Sequence, residues 1–224
     1  VLKSGSGIIL TTGPTGSGKT TTLYSAIAEI NNEETKILTV EDPVEYETEG
    51  IVQVNVRDDV GLTFETALRS FLRHDPDKIL VGELRDSITA KVAIQAALTG
   101  HLVLGTLHTN DAPSAVTRLV DMGLDTYLIA DTVRGILAQR LMRRICEKCR
   151  TEAVPSKEER GLMEKYRISH VYYGKGCPAC HNTGYSGRLG IFEWLPISAE
   201  IRQAIRQKTS LEELQKIAQQ QGLI

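Results

Sequence analysis

The stretch TTGPTGSGKT, residues 11–20, joins two segments of different periodicity. The residues just before it, 8–10, are all apolar and have the character of a buried strand. The residues after it, 21–30, place leucine and isoleucine side chains on one face of a helix. The glycine-rich stretch is therefore predicted to be a turn that leads from a strand into a helix.

Within that turn, Gly13, Gly18, Lys19 and Thr20 fit the pattern G-x-x-x-x-G-K-[ST]. Between a strand and a helix this pattern predicts a P-loop, and a glycine-rich turn without a ligand is the alternative. Backbone N–H groups of a P-loop bind phosphate oxygens, its lysine reaches the β- and γ-phosphates of ATP, and its threonine holds Mg²⁺. The predicted phosphate-binding residues are Gly13, Pro14, Thr15, Gly16, Ser17, Gly18, Lys19, Thr20 and Thr21.

Two acidic residues compete for the chemical roles beside the P-loop. Glu83 ends the apolar run KILVGE, and Glu41 ends a second apolar run and opens EDPVE. Ligands gather at the carboxyl ends of strands in open sheets, so both positions are candidates. One acid would hold the hydrated Mg²⁺ and the other would take a proton from the attacking water, and the sequence leaves open which does which.

Three further polar residues are candidates for contact with the γ-phosphate. His108 ends another apolar run, where it can sense that phosphate, although a structural role is the alternative. Arg69 and Arg73 are four residues apart and are predicted to share one helix face. They would reach a neighbouring subunit's γ-phosphate as arginine fingers, or form ordinary ion pairs with Asp75 or Asp77.

The four cysteines form two C-x-x-C pairs, Cys146 with Cys149 and Cys177 with Cys180. Each short turn presents two thiolates, so two such turns complete the tetrahedral shell of Zn²⁺. A disulfide framework is the alternative, and the lack of a signal peptide disfavours it because a reducing compartment disfavours disulfides. His181 is interpreted as a bystander, since four thiolates already close the site.

Composition excludes several classes of protein. With 41% apolar and 24% charged residues, the chain is typical of a soluble globular protein. Its net charge of −2 and pI near 6.3 argue against non-specific binding to a phosphate backbone. No apolar stretch approaches the ~20 residues that a membrane span needs, and the N-terminus does not resemble a signal peptide.

The chain is expected to have three parts. Over residues 1–142 apolar runs alternate with helical patterns, which predicts a doubly wound α/β core with a parallel sheet. Residues 143–192 show little periodicity and are expected to be a module held together by metal. Residues 193–224 contain two helical segments, capped by Ser198 and Ser210, and are expected to be truncated. The predicted strands are 7–10, 36–40, 51–56, 78–82 and 101–108.

The ordered motifs resemble those of type II secretion and type IV pilus assembly ATPases. In order, they correspond to the family's Walker A motif, Asp box, arginine-bearing stretch, Walker B motif and His box, followed by a tetracysteine module. The four cysteines favour the secretion and extension branch, typified by general secretion pathway protein E, over the retraction branch. The segments that carry these motifs are GPTGSGKTTTLY, ILTVEDPVEY, LRSFLRHDPDKILVGELRD, TGHLVLGTLHTNDA, LAQRLMRRICEKC and CPACHNTGYSGRLGIFE.

This resemblance implies a RecA-like P-loop ATPase in which Glu41 is the general base, Glu83 acts at Mg²⁺ through water, and His108 lies near the γ-phosphate. It also implies a homo-hexameric ring that turns an inner-membrane platform protein, so that pilin or pseudopilin is assembled. The protein would be cytoplasmic, peripheral at the inner membrane, and without a nucleic-acid partner.

The family's N-terminal domains do not occur in this sequence. We therefore expect a C-terminal ATPase fragment that is weak in hydrolysis by itself. Two other functions stay open: a nucleic-acid motor built on the same core, and a zinc-bearing interaction module with a nucleotide-dependent shape and negligible catalysis.

Overall fold

The computed structural model describes residue 2 and residues 4–223 of the chain. The chain divides into two compact units, one formed by residues 1–140 with 192–224 and the other by residues 141–191. Within the described residues, no helix combines the length and the apolar character needed to cross a bilayer.

The first unit has an α/β fold. Its strands are β1 (Gly7–Thr12), β2 (Ile37–Glu41), β3 (Ile51–Asn55), β4 (Lys78–Val81) and β5 (Leu102–Leu107). Its helices are α1 (Lys19–Ile30), α2 (Phe64–Phe71), α3 (Ser87–Leu98), α4 (Ala112–Asp121) and α5 (Thr126–Thr132). The strands β6 (Val133–Ile145) and β9 (Tyr185–Pro196) contain the boundaries between the two units. All five strands predicted from the sequence form, with ends that differ by at most two residues.

The sheet has the strand order β3-β2-β4-β5-β1-β6-β9. The pairs from β3 to β6 in this order are all parallel, which confirms the predicted parallel sheet. In this register Thr12 lies opposite Leu107, and Glu41 lies opposite Asn55. The carboxyl ends of the strands are therefore at one edge of the sheet, as the positions of the candidate residues require.

Helices cover both faces of the sheet. Successive side chains of each strand point to opposite faces, so the buried apolar side chains of the strands need packing partners on both. On one face Ile9 and Leu104 pack with Leu23 and Ile27 of α1. On the other face Leu10 packs in a larger cluster with residues of α2, α3, α4 and α5. Leu10 is completely buried, and its replacement by alanine would cost about 2–5 kcal/mol of stability. The doubly covered sheet is a rigid base for the loops at its edge.

The prediction that Arg69 and Arg73 share one helix face is wrong. Helix α2 ends at Phe71, and the N–H of Arg73 donates to the carbonyl oxygen of Ser70 in a tight turn, at 2.9 Å. The chain then reaches Asp75, which has a left-handed backbone with φ of 51° and precedes a proline. A proline disfavours the helical conformation of the residue before it, so the helix cannot continue through this segment.

The first unit ends with two short helices, α7 (Ala199–Arg206) and α8 (Leu211–Gln220). As predicted, Ser198 and Ser210 cap them, and each hydroxyl accepts a hydrogen bond from a backbone N–H of the first turn.

The second unit is small and has almost no apolar core. It contains the antiparallel strands β7 (Arg150–Ala153) and β8 (Val171–Gly174), and the helix α6 (Lys157–Tyr166), which has no buried residue. Of the described residues 141–191, only Cys146, Cys180 and Gly184 are buried. Burial of apolar side chains therefore supplies little of the stability of this unit.

Candidate active site

The glycine-rich loop turns sharply from β1 into α1. Gly13 has φ of +145°, and a Cβ atom there would lie 2.3 Å from the carbonyl oxygen of Gln139, so the position requires glycine. Ser17 is buried, and its Oγ has no hydrogen-bond partner among the described residues. A buried hydroxyl without a partner is unfavourable unless a ligand completes its hydrogen bonds. The loop therefore fits an anion-binding role at the N-terminus of α1.

Lys19 lies over the loop that it follows. Its Nζ donates to the carbonyl oxygens of Gly13, at 2.8 Å, and Pro14, at 3.2 Å. Burial lowers the pKa of the Lys19 ammonium from its usual value, and the negative charge of Glu83 partly opposes that shift. The ammonium group is thus held at the mouth of the loop within the field of a carboxylate.

Glu83 is at the centre of a charged cluster. Its Oε1 is 3.2 Å from Nε2 of His108, and its Oε2 accepts a hydrogen bond from Nε of Arg85 at 2.6 Å. Arg85 also pairs with Asp42, with 3.2 Å between Nη1 and Oδ2. The hydrogen bond to Glu83 is the main cause of the raised pKa of Arg85. The structure therefore brings together the ends of β2, β4 and β5 through Asp42, Glu83 and His108.

Glu41 is in a different environment, on the face of the sheet that α1 covers. The side chain is only 3% exposed, and the Tyr24 hydroxyl donates to its Oε2. Its Oε1 accepts from Thr39 Oγ1 at 2.5 Å and from Gln53 Nε2 at 3.3 Å. Burial is the larger cause and the hydrogen bond to Glu41 the second cause of a raised pKa of Tyr24, so the phenol stays protonated and remains a donor. Both carboxylate oxygens are therefore hydrogen-bonded.

The remaining predicted residues are at the surface. Thr20 and Thr21 are exposed in the first turn of α1. Arg69 is exposed and pairs with Glu65 one helical turn away, at 2.9 Å, rather than with Asp75 or Asp77. Exposed pairs of this kind contribute little stability, so they leave the guanidinium free to exchange partners.

Sequence reasoning missed Tyr24, Arg85 and Gln139. Gln139 is buried on β6, and its Oε1 accepts a hydrogen bond from Thr22 Oγ1 in the second turn of α1, at 2.7 Å. Tyr24 directly follows a core leucine in α1, and a buried phenol needs a hydrogen-bond partner. That rule could have identified Tyr24, whereas no sequence pattern pairs Gln139 with α1.

The four cysteines of the second unit form one cluster. Their sulfur atoms all lie within 4.8 Å of one another, with 3.9 Å between Cys146 and Cys177 and 3.8 Å between Cys149 and Cys180. These separations exceed the ~2.05 Å of a disulfide bond. They are close to the ~3.8 Å sulfur separation that follows from tetrahedral geometry with Zn–S bonds of ~2.3 Å. The donor set therefore fits a zinc ion.

Backbone groups favour the thiolate form of one cysteine of the cluster, Cys180, whereas burial raises the pKa of Cys149 to about 12. Desolvation opposes ionisation of Cys180, but the N–H groups of Cys177 and Gly184 donate to its Sγ at 3.2 and 3.3 Å. Together with contacts from the thiols of Cys177 and Cys149, these hydrogen bonds outweigh desolvation and lower the pKa of Cys180 to about 6. Close backbone packing supports the same turns, because a Cβ on Gly174 would lie 2.0 Å from the carbonyl oxygen of Gly184.

Comparison with known proteins decides the family. The family model described as "Type II/IV secretion system protein" matches residues 1–223. The chain belongs to this family. The resemblance seen in the ordered motifs is thereby confirmed, including the α/β fold that it implies.

Two named relatives are similar to this chain over most of its length. It is 52% identical to the type II secretion system protein HxcR of Pseudomonas aeruginosa, over 97% of this chain and 43% of that protein. It is 50% identical to the type IV pilus assembly ATPase PilB of Thermus thermophilus, over 97% of this chain and 25% of that protein. The chain thus spans less than half the length of these relatives.

A solved structure of the pilus retraction motor PilT with bound ADP has a similar fold. The TM-score is 0.67 at 33% identity, covering 98% of this chain and 59% of the PilT chain.

Proposed function

We propose that this chain is the ATPase domain of a motor for secretion or pilus assembly, and that it hydrolyses ATP with Mg²⁺ at the P-loop. The observation that carries the proposal is the convergence of Lys19, Glu83 and His108 beside a loop whose buried Ser17 hydroxyl has no hydrogen-bond partner in the described part of the chain. Family membership supports the same reaction, since relatives of this chain are named ATPases.

In this mechanism the P-loop binds the phosphates of ATP. Backbone N–H groups at the start of α1 bind phosphate oxygens, and Lys19 exchanges the carbonyls of Gly13 and Pro14 for the β- and γ-phosphates. Thr20 and the water-linked Glu83 would hold Mg²⁺, which neutralises charge on the phosphates. His108, already 3.2 Å from Glu83, senses the γ-phosphate.

Glu41 is proposed as the general base. Water attacks the γ-phosphorus in line, its proton passes to Glu41, and ADP leaves. The Gln53 contact to Oε1 is the longest of the three hydrogen bonds to this carboxylate, at 3.3 Å, so a water exchanges most easily there. Tyr24 keeps its bond to Oε2 and thereby orients the base.

The cysteine cluster is proposed as a structural zinc site. Cys146, Cys149, Cys177 and Cys180 would complete a closed shell, and the ion would hold a unit that buries few side chains. Zinc is therefore assigned to folding of the second unit rather than to the ATPase reaction.

The assembly is proposed from family membership. The chain would work in a homo-hexamer at the cytoplasmic face of the inner membrane, bound peripherally to the secretion or pilus machinery. Arg69 and Arg73 are proposed to reach a neighbouring subunit's nucleotide, and both are exposed.

A nucleic-acid motor is disfavoured by the net charge of −2. With less than half the length of its relatives, the chain is expected to turn over ATP slowly by itself.

Nucleotide binding tests the proposal. In isothermal calorimetry with Mg²⁺ and ATP, the wild-type chain should bind, and Lys19→Ala should weaken binding by ten-fold or more, about 1.4 kcal/mol. Lys91→Ala, an exposed lysine on α3, is the matched control and should bind as the wild type does. Wild-type protein that releases no heat at millimolar ATP would contradict the proposal.

A further inference from the structure

Thr12 is the last residue of β1 and directly precedes the P-loop. Its side chain is completely buried, and its hydroxyl contacts several groups of the turn that follows β5. We propose that Thr12 is a positioning residue that fixes His108 relative to the P-loop. The inference rests on the proposed function, in which His108 senses the γ-phosphate.

The sheet by itself cannot hold His108. Parallel pairing ends where Thr12 lies opposite Leu107, the last residue of β5. The peptide groups on the two sides of His108 therefore need other partners. The Thr12 hydroxyl supplies one of them, because its Oγ1 accepts from the Thr109 N–H at 2.8 Å. The Leu107 carbonyl oxygen, 3.1 Å from the same Oγ1, is one of the possible acceptors of the single hydroxyl proton.

A second contact fixes the direction of the hydroxyl. Oγ1 of Thr109 donates to the carbonyl oxygen of Asp111 at 2.9 Å. Thr12 is then the donor in the 2.8 Å contact between the two threonine hydroxyl groups. Thr12 therefore both donates to and accepts from Thr109, and it holds the turn from His108 to Asp111 in one conformation.

This arrangement connects the two ends of the candidate site. On one side, Thr12 is bonded to Gly13, whose carbonyl oxygen accepts from Lys19. On the other side, the turn that Thr12 holds carries His108 towards Glu83. Lys19 would exchange the Gly13 carbonyl oxygen for phosphate. Because Gly13 is joined to Thr12 by one peptide bond, any movement of Gly13 would be passed to the hydroxyl that sets the position of His108.

A buried threonine that only stabilises the sheet would affect all nucleotides alike. A positioning role makes a different prediction, because His108 is proposed to contact only the γ-phosphate, which ADP lacks. Loss of the Thr12 hydroxyl should weaken binding of nucleotides that carry a γ-phosphate more than it weakens binding of ADP.

The test compares affinities for ADP and for the β,γ-imido analogue of ATP, both with Mg²⁺, by calorimetry. Thr12→Val keeps the side-chain shape without the hydroxyl, and Thr12→Ser keeps the hydroxyl. In Thr12→Val we expect the ratio of the analogue's Kd to that of ADP to rise about five-fold, the size of one ordinary hydrogen bond. In Thr12→Ser the ratio should return to the wild-type value.

Thr132→Val is the control, because it makes the same threonine-to-valine change at a buried position outside the candidate site. Thr132 is also buried, and its hydroxyl donates to the Leu128 carbonyl oxygen within α5, so its loss should leave the ratio unchanged. If Thr12→Val does not fold, Thr109→Val removes the hydroxyl–hydroxyl contact instead and should raise the ratio by a smaller factor.

An unchanged ratio in both Thr12→Val and Thr109→Val, or an equal loss of both nucleotides, overturns the positioning role while the proposed function stands. Wild-type protein that binds neither nucleotide overturns the proposed function, and the inference with it.

Discussion

The hydroxyl of Tyr24 donates to Oε2 of Glu41, and this bond joins helix α1, which begins at the P-loop, to the carboxylate at the end of β2. The ring of Tyr46 packs edge-on against Tyr24, with 4.5 Å between the ring centroids. Gln53 connects the same elements, because its Nε2 lies 3.3 Å from both the Tyr24 hydroxyl and Oε1 of Glu41. The candidate base is therefore itself buried and is held by a network of hydrogen bonds rather than exposed in a cleft.

Tyr24→Phe tests whether this network orients the base. A hydrogen bond to a charged group contributes about 1.5–3 kcal/mol, and 1.4 kcal/mol corresponds to ten-fold in rate. We therefore expect kcat to fall about ten-fold or more, while the affinity for Mg²⁺ and ATP stays unchanged because Tyr24 does not belong to the P-loop. Phosphate release and calorimetry measure the two quantities.

Tyr127→Phe is the control for Tyr24→Phe, since Tyr127 is 56% exposed on α5, and it should leave kcat unchanged. A higher kcat in Tyr24→Phe would show that the hydroxyl restrains Glu41 instead of orienting it.

Zinc content tests the cysteine cluster. Elemental analysis of the purified chain should find one zinc per chain, and Cys177→Ser should lose it because a closed shell needs all four thiolates. The variant should also lose protection of residues 141–191 against proteolysis, since this unit buries few side chains.

His181→Asn is the matched control for Cys177→Ser. His181 directly follows a cysteine and has a left-handed backbone with φ of 50°, which asparagine tolerates, so the variant should keep its zinc. Loss of ATP binding in Cys177→Ser would contradict a purely structural ion, and a zinc-free wild type without free thiols would favour disulfides instead.

Local patterns are sufficient to predict strands β1 to β5 and the glycine-rich turn itself. Each depends on residues close in sequence: an apolar run such as residues 8–10, a glycine at a required backbone angle, a lysine six residues after Gly13. Strands β6 and β9 were not predicted. In β6 the apolar run is interrupted by Arg134 and Gln139, and the buried Gln139 has a hydrogen-bond partner in Thr22, which is distant in sequence.

The contacts within the candidate site could not be predicted, because they depend on packing between distant segments. Tyr24 meets Glu41 only when α1 packs on the face of β2 that carries Thr39 and Glu41. Thr12 meets Thr109 only through the register of β1 with β5. The wrong prediction at Arg73 has a local cause, since four-residue spacing indicates one helix face only where the helix continues, and the sequence Asp75-Pro76 follows closely.

Hydrolysis and binding measured together on Glu41→Gln test the assignment of the base most directly. Because the isolated chain is expected to be slow, single-turnover phosphate release with the chain in excess over ATP is the suitable measurement. Glu41→Gln should bind Mg²⁺ and ATP as the wild type does and release phosphate about 10²–10⁴-fold more slowly. Glu45→Gln, in the exposed loop nearby, should release phosphate at the wild-type rate. A Glu41→Gln variant that hydrolyses bound ATP as fast as the wild type would contradict the role of Glu41.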